Sequence, residues 1–89
     1  MLSAARIKLT PSLELLLKSQ LEEAIEQANL GTLGTFVAKK YLIEQVQQID
    51  IAEEIGYDRT FVTRRIKSYI PRIEHAAEVL FGNLHTTAS

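Results

Sequence analysis

Gln48-Ile49-Asp50-Ile51-Ala52-Glu53-Glu54-Ile55-Gly56-Tyr57-Asp58-Arg59-Thr60-Phe61-Val62-Thr63-Arg64-Arg65-Ile66-Lys67 is the stretch on which the reading of this chain turns. Ile51, Ala52 and Ile55 share one side of a short helix, and Gly56 stops it. Two short helices that cross steeply must come close, and Ala52 is small enough to sit where they touch. The turn after them needs a positive φ, which glycine adopts without steric cost. Gly56 stands four residues after Ala52, and Val62, six further on, returns with Ile66 to the same core. Alanine, glycine and a branched apolar residue at that spacing predict a helix-turn-helix over about residues 48–68, with Ala52, Gly56, Val62 and Ile66 as its core. An αα-corner with no role on DNA has the same local pattern.

The second helix of the pair separates into two faces. At 100° per residue from Arg59, Val62, Tyr69 and Ile66 lie at about 300°, 280° and 340°. Thr63, Lys67, Thr60 and Arg64 lie at about 40°, 80°, 100° and 140°. One face is core, and the other carries two threonines and two cations. Arg and Lys bond the O6 and N7 of guanine, and threonine bonds a base edge or touches a thymine methyl. Such an edge suits the major groove, so Arg59, Thr60, Thr63, Arg64 and Lys67 are the candidate base-reading residues. Arg65, at about 240°, leans toward the core, which fits an internal ion pair as well as a phosphate contact. Arg72 is expected to act on the phosphate backbone.

Charge along the chain agrees with this division. The formal net charge is −1, yet residues 59 to 73 hold Arg59, Arg64, Arg65, Lys67 and Arg72 and no carboxylate. A single-signed patch on an otherwise acidic body is an electrostatic footprint for a polyanion, although a solvated helix face looks the same by charge alone.

Outward from this stretch the chain predicts an all-α domain of about five short helices over residues 11–84. Thr10-Pro11 opens the first, and Leu13, Leu16, Leu17, Leu21, Ala24, Ile25 and Ala28 form one stripe along it. Asn29-Leu30-Gly31 ends that helix, with glycine in the left-handed position. Thr32 or Thr35 caps a second helix holding Leu33, Phe36, Val37, Tyr41 and Leu42; Gln45 to Gln48 is a connector or a frayed continuation. The helix from Arg59 ends near Tyr69, where Pro71 breaks or re-initiates the chain. A fifth helix places Ile73, Ala76, Ala77, Leu80, Phe81 and Leu84 on one side. That stripe serves either the core or a dimer contact through Ile73, Ala77, Leu80, Phe81 and Leu84. Residues 1–10, with Arg6 and Lys8, and residues 85–89 are expected to be loose.

Several function classes are poorly supplied with residues. Eighty-nine residues make one domain with a modest core, and there is no cysteine for a disulfide or a thiolate metal site. No apolar run reaches a membrane-spanning length and no signal peptide opens the chain, so the expectation is cytoplasmic. His75 and His85 lack a third ligand at metal spacing, and Glu22-Glu23-Glu26 reads as a wet helix face. Neither a phosphate-cradling glycine loop nor a nucleophile–base pair is recognisable, and no small-molecule ligand is readable. The expectation is a non-enzymatic protein without cofactor.

Scattered identities outside the helix pair add a resemblance. From about Lys18 to Tyr69 the chain resembles the plasmid-borne KorA/TrfB transcriptional repressors. The matches are Ser19-Gln20, Glu23-Ala24-Ile25, Leu30-Gly31, Ala38 with its following basic residue, Leu42, Gln48, Ala52, Gly56, Arg59 and Val62. The resemblance implies a homodimeric repressor on a palindromic operator in double-stranded DNA. It places base contacts on Arg59 and Arg64. The family position matching Arg64 is a glutamine, which prefers adenine where arginine prefers guanine. The resemblance fades after Tyr69, and the chain lacks the family's C-terminal dimerisation segment. Two other readings fit the residues: an activator of the phage CII type, which shares the Ile-Pro break, and a helical protein–protein adaptor.

Overall fold

A computed structural model of the chain describes residues 11–82. All regular structure among them is helical: α1 (Pro11–Glu14), α2 (Lys18–Gln27), α3 (Gly31–Ala38) running on into a π-helical turn (Lys39–Ile43), α4 (Gln48–Ile55) and α5 (Arg59–Phe81). Beyond the single turn of α1 there are four helices among the described residues, where the sequence predicts about five.

The difference arises at Pro71, inside an unbroken α5 of 23 residues. Proline in a helix interior costs about 3 kcal/mol, through a lost backbone bond and a clash with the preceding turn. Here it is outweighed. Ile66, Tyr69, Ile70, Ile73, Ala76 and Ala77 are all buried on both sides of the proline, and each buried isoleucine contributes about 1.5–3 kcal/mol. Pro71 and Lys67 are exposed, so the Lys67 carbonyl left without its partner lies on the side that water reaches.

The expected first helix is divided as well. Leu13 is buried at 2% exposure, but Leu17 is 67% exposed, so the stripe is not continuous. Leu17 is extended (φ −69°, ψ 158°) and starts α2, and its amide donates to Gln20 Oε1 at 3.0 Å. The stop after α2 uses Asn29, at φ 57°, as well as Gly31, at φ 86°. No threonine caps α3: its N-cap is Leu30, without a side-chain bond. Of the apolar residues of the second predicted helix, Leu33 and Phe36 are each 37% exposed, whereas Val37 and Leu42 are buried. The expected loose termini, residues 1–10 and 85–89, lie outside the described residues, as do Thr10 and Leu84.

α5 is the spine. Thr63 near its start meets Gln48 of α4, Tyr69 at its middle lies against Gly34 of α3, and Arg72 beyond that reaches the end of α2. Gly34 is buried, and a Cβ built on it would stand 2.7 Å from Leu30 Cβ and 3.1 Å from Tyr69 Cζ and Oη. The absence of a side chain therefore sets how closely α3 approaches α5. Two substitutions should move stability in opposite directions. Pro71→Ala restores the helix bond and is expected to stabilise by about 1–3 kcal/mol, less than the full proline cost because the unfolded chain also loosens. Gly34→Ala overpacks the α3–α5 contact and is expected to destabilise by about 1–3 kcal/mol. Urea titration followed by circular dichroism measures both.

Candidate nucleic-acid interface

The unit formed by α4, the connection Gly56-Tyr57-Asp58 and α5 is fixed by local chemistry. Gly56 caps α4 at φ 79°, ψ 27°, a left-handed conformation that a side chain would strain. The amides of Gly56 and Tyr57 both donate to the Ala52 carbonyl, at 2.9 and 3.0 Å, which closes the end of α4. Asp58 is extended and caps α5, its Oδ1 accepting from the Phe61 amide at 3.0 Å. Ile51, Ala52, Val62 and Ile66 are at most 1% exposed, so the two helices share one core along the predicted faces.

A buried polar tie adds register. Gln48 opens α4 and is the single buried polar or charged side chain among the described residues, at 6% exposure. Its Oε1 accepts a hydrogen bond from the Thr63 hydroxyl, and its Nε2 donates to the Tyr41 hydroxyl at 3.4 Å. An amide at this depth stabilises only while its partners are present, so the contact fixes where α5 starts relative to α4. Thr63 is consequently half-buried and turned to the protein. Its position, about 40° from Arg59, is the edge of the core.

The outer edge of α5 is open. Arg59, Thr60, Arg64 and Lys67 are exposed, and Arg59, Arg64, Arg65 and Lys67 take part in no ion pair among the described residues. Two cations elsewhere, Lys39 and Lys40, are neutralised. Lys39 Nζ lies 2.6 Å from Glu26 Oε2, and that hydrogen-bonded carboxylate holds the ammonium above the usual lysine range. Lys40 Nζ lies 3.3 Å from Glu44 and 4.0 Å from Glu54. The π-helical turn sets these two lysines toward α2 and α4 respectively, so that among the described residues α5 carries Arg59, Arg64, Arg65 and Lys67 without an ion pair, and α2 carries Lys18.

For Arg65 one of the two expected roles is not seen, and Arg72 is engaged within the protein. Arg65 forms no internal ion pair among the described residues; its guanidinium lies over the Phe61 ring, 5.1 Å from the centroid. Arg72, expected on phosphate, donates through one guanidinium nitrogen to the carbonyls of Ala28 and Asn29, each at 3.3 Å. It closes the carboxyl end of α2, where a cation also meets the negative end of the helix dipole. Of the residues expected at a dimer contact, Ile73 and Ala77 are corrected: at 0% and 5% exposure they belong to the chain's own core. Leu80 is 37% exposed and Phe81 is half-buried.

Sequence reasoning passed over the Gln48–Thr63 bond, the Asp58 cap and the Tyr57–Phe61–Arg65 contact. Asp58, one residue before the cationic helix, was legible as a cap. The Gln48 bond, spanning fifteen residues, was not. Among the described residues no cluster of His, Cys, Asp or Glu has metal-binding geometry, and no helix is long and apolar enough to cross a membrane.

Comparison with protein-family models, with curated proteins and with solved structures returns no match.

Replacing Gln48 by Ala removes one partner of a buried pair and is expected to destabilise by about 1–3 kcal/mol. Asp58→Ala removes the α5 cap and should cost about 1 kcal/mol. Thermal unfolding monitored by circular dichroism reads both losses, and a Gln48 variant as stable as the parent would show that the amide contributes nothing net.

Proposed function

We propose that this chain is a sequence-specific double-stranded DNA-binding protein in which α4 and α5 act as a helix-turn-helix, and that it represses transcription by occupying a promoter. The observation that carries the proposal is the outer edge of α5. Four exposed side chains, Arg59, Thr60, Arg64 and Lys67, present donors and cations with no competing carboxylate on that helix before Glu74. The opposite face of the same helix is core, so the edge stands out from the protein body on a rigid element.

Division of labour follows from chemistry. Arg64 and Thr60 select bases, Arg64 by a two-pronged bond to guanine. Arg59 and Lys67 lie toward the two ends of the edge and contribute both readout and salt-dependent attraction to phosphate. Thr63 plays a lesser part than the sequence suggests, because its hydroxyl proton is committed to Gln48. Arg72 is left out of the contact set, since it is tied to α2 roughly 20 Å along the helix from Arg59.

The resemblance to the KorA/TrfB repressors supports repression, a plasmid source and a palindromic operator read by a dimer. A two-fold dimer places two recognition helices in successive major grooves, about one helical turn apart. The adaptor reading, through the first helix or the C-terminal stripe, has less surface to use than the sequence suggests, since Leu21, Ala24, Ile25, Ile73 and Ala77 are buried in the chain's own core.

Selection of bound sites from a random duplex pool tests the whole proposal. A palindromic consensus is expected, and a pool that enriches no sequence would overturn it. With the consensus in hand, Arg64→Ala is expected to lose about 1–3 kcal/mol on that site and little on random duplex in a mobility-shift titration. Equal losses on both would move Arg64 from base to phosphate.

A further inference from the structure

A feature beside the recognition edge is unused by that assignment. Tyr57, Phe61 and Arg65 succeed one another at intervals of four residues. The Tyr57 and Phe61 rings stack with centroids 4.1 Å apart and planes 16° from parallel. The Arg65 guanidinium carbon stands 5.1 Å from the Phe61 centroid. On the helix, Phe61 and Arg65 fall at about 200° and 240° from Arg59, adjoining Arg64 at about 140°. Tyr57 is 49% exposed, Arg65 is exposed, and Phe61 between them is half-buried and packed against the core, so the group bridges core and water.

The core side of Phe61 anchors its ring and Tyr57, from the connection before α5, covers one face of it, which leaves Arg65 as the part of the arrangement that packing does not account for. A ring attracts the guanidinium by its charge and uses none of its N–H donors as conventional hydrogen bonds. Arg65 is exposed and has no ion pair among the described residues, so its N–H fork is open to an oxyanion. Fixing the group on a ring beforehand also removes rotamer freedom that a free arginine would lose on binding. A single phosphodiester with two non-bridging oxygens matches that fork.

We infer that Tyr57, Phe61 and Arg65 form a preset phosphodiester clamp at the side of the recognition edge. Arg65 contacts a backbone phosphate of duplex DNA, and Phe61, braced by Tyr57, is a positioning residue that holds the guanidinium. The inference rests on the DNA-binding reading above.

The test is fluorescence-anisotropy titration of the full 89-residue chain against a selected duplex and a random duplex, over a series of potassium chloride concentrations. Arg65→Ala is expected to weaken both duplexes by the same factor, roughly tenfold at low salt, and to make the log affinity–log salt slope shallower by about 0.9, the value for one phosphate. Phe61→Leu is expected to weaken both by a smaller factor in the parent background and to have no further effect once Arg65 is alanine. Tyr57→Phe, which keeps the ring, should bind like the parent. Circular dichroism confirms folding, and Phe61→Met replaces the leucine variant if that variant unfolds. A Phe61 loss equally large in the Arg65→Ala background would refute the positioning role, and an unchanged salt slope in Arg65→Ala would refute the clamp. Both results leave the DNA-binding reading standing. A parent chain that binds neither duplex brings down that reading together with the clamp.

Discussion

The seven buried side chains of α5, from Val62 to Ala77, are the surface on which the other helices assemble. α4 docks at the start of that stripe, α3 at its middle through Gly34 and Tyr69, and α2 beyond it, where Arg72 closes the end of the smaller helix. Because the stripe is shared, a break in α5 would separate the core into two small parts. That is the physical reason Pro71 is carried inside the helix. Its cost is local and fixed, while the gain from keeping Ile70, Ile73, Ala76 and Ala77 in line with Val62 and Ile66 grows with each buried group.

A helix used as a spine along one side is free on the other, and the chain's charges are distributed accordingly. Lys39 and Lys40 are matched by Glu26, Glu44 and Glu54, pinning the π-helical turn between α2 and α4. These exposed pairs contribute little to stability individually. Their larger effect is on the local field: they offset the charge of Lys39 and Lys40, while Arg59, Arg64, Arg65 and Lys67 stay without an ion pair on α5 among the described residues. A net charge of −1 is thus compatible with a polyanion-binding surface, because attraction over a Debye length of about 10 Å depends on local and not total charge.

What was legible in the sequence is what adjacent residues decide among themselves. Ala52, Gly56, Val62 and Ile66 are read correctly because a left-handed stop and a stripe at helical spacing need only a few neighbours. Pro71 was misread for the converse reason: the local rule against proline is sound, but the burial that overrides it comes from α2 and α3. Leu17 kept the helical period and still faces solvent, since the extended N-cap at that residue turns α1 away from α2. Arg72 carried the right charge for phosphate, and its actual partners are carbonyls more than forty residues earlier. In the candidate site the direction of the α5 faces was readable. The commitment of Thr63 to Gln48 was not, because it depends on how far α5 is set along α4.

The burial of Ile73 and Ala77 also bears on how two copies would meet. An apolar stripe consumed in the monomer's core cannot serve an interface as well, so the surface left on the last turns of α5 is Val79, at 61% exposure, with Leu80 and the half-buried Phe81. This is a small patch compared with the roughly 800 Å² per partner typical of stable interfaces. A dimer built on it alone would be weak in free solution. Weakness of that kind is compatible with operator recognition, since two half-sites one helical turn apart supply the proximity that the protein contact lacks. Occupancy would then rise steeply with protein concentration, and the pairing of half-sites on DNA, more than the protein contact, would set the threshold.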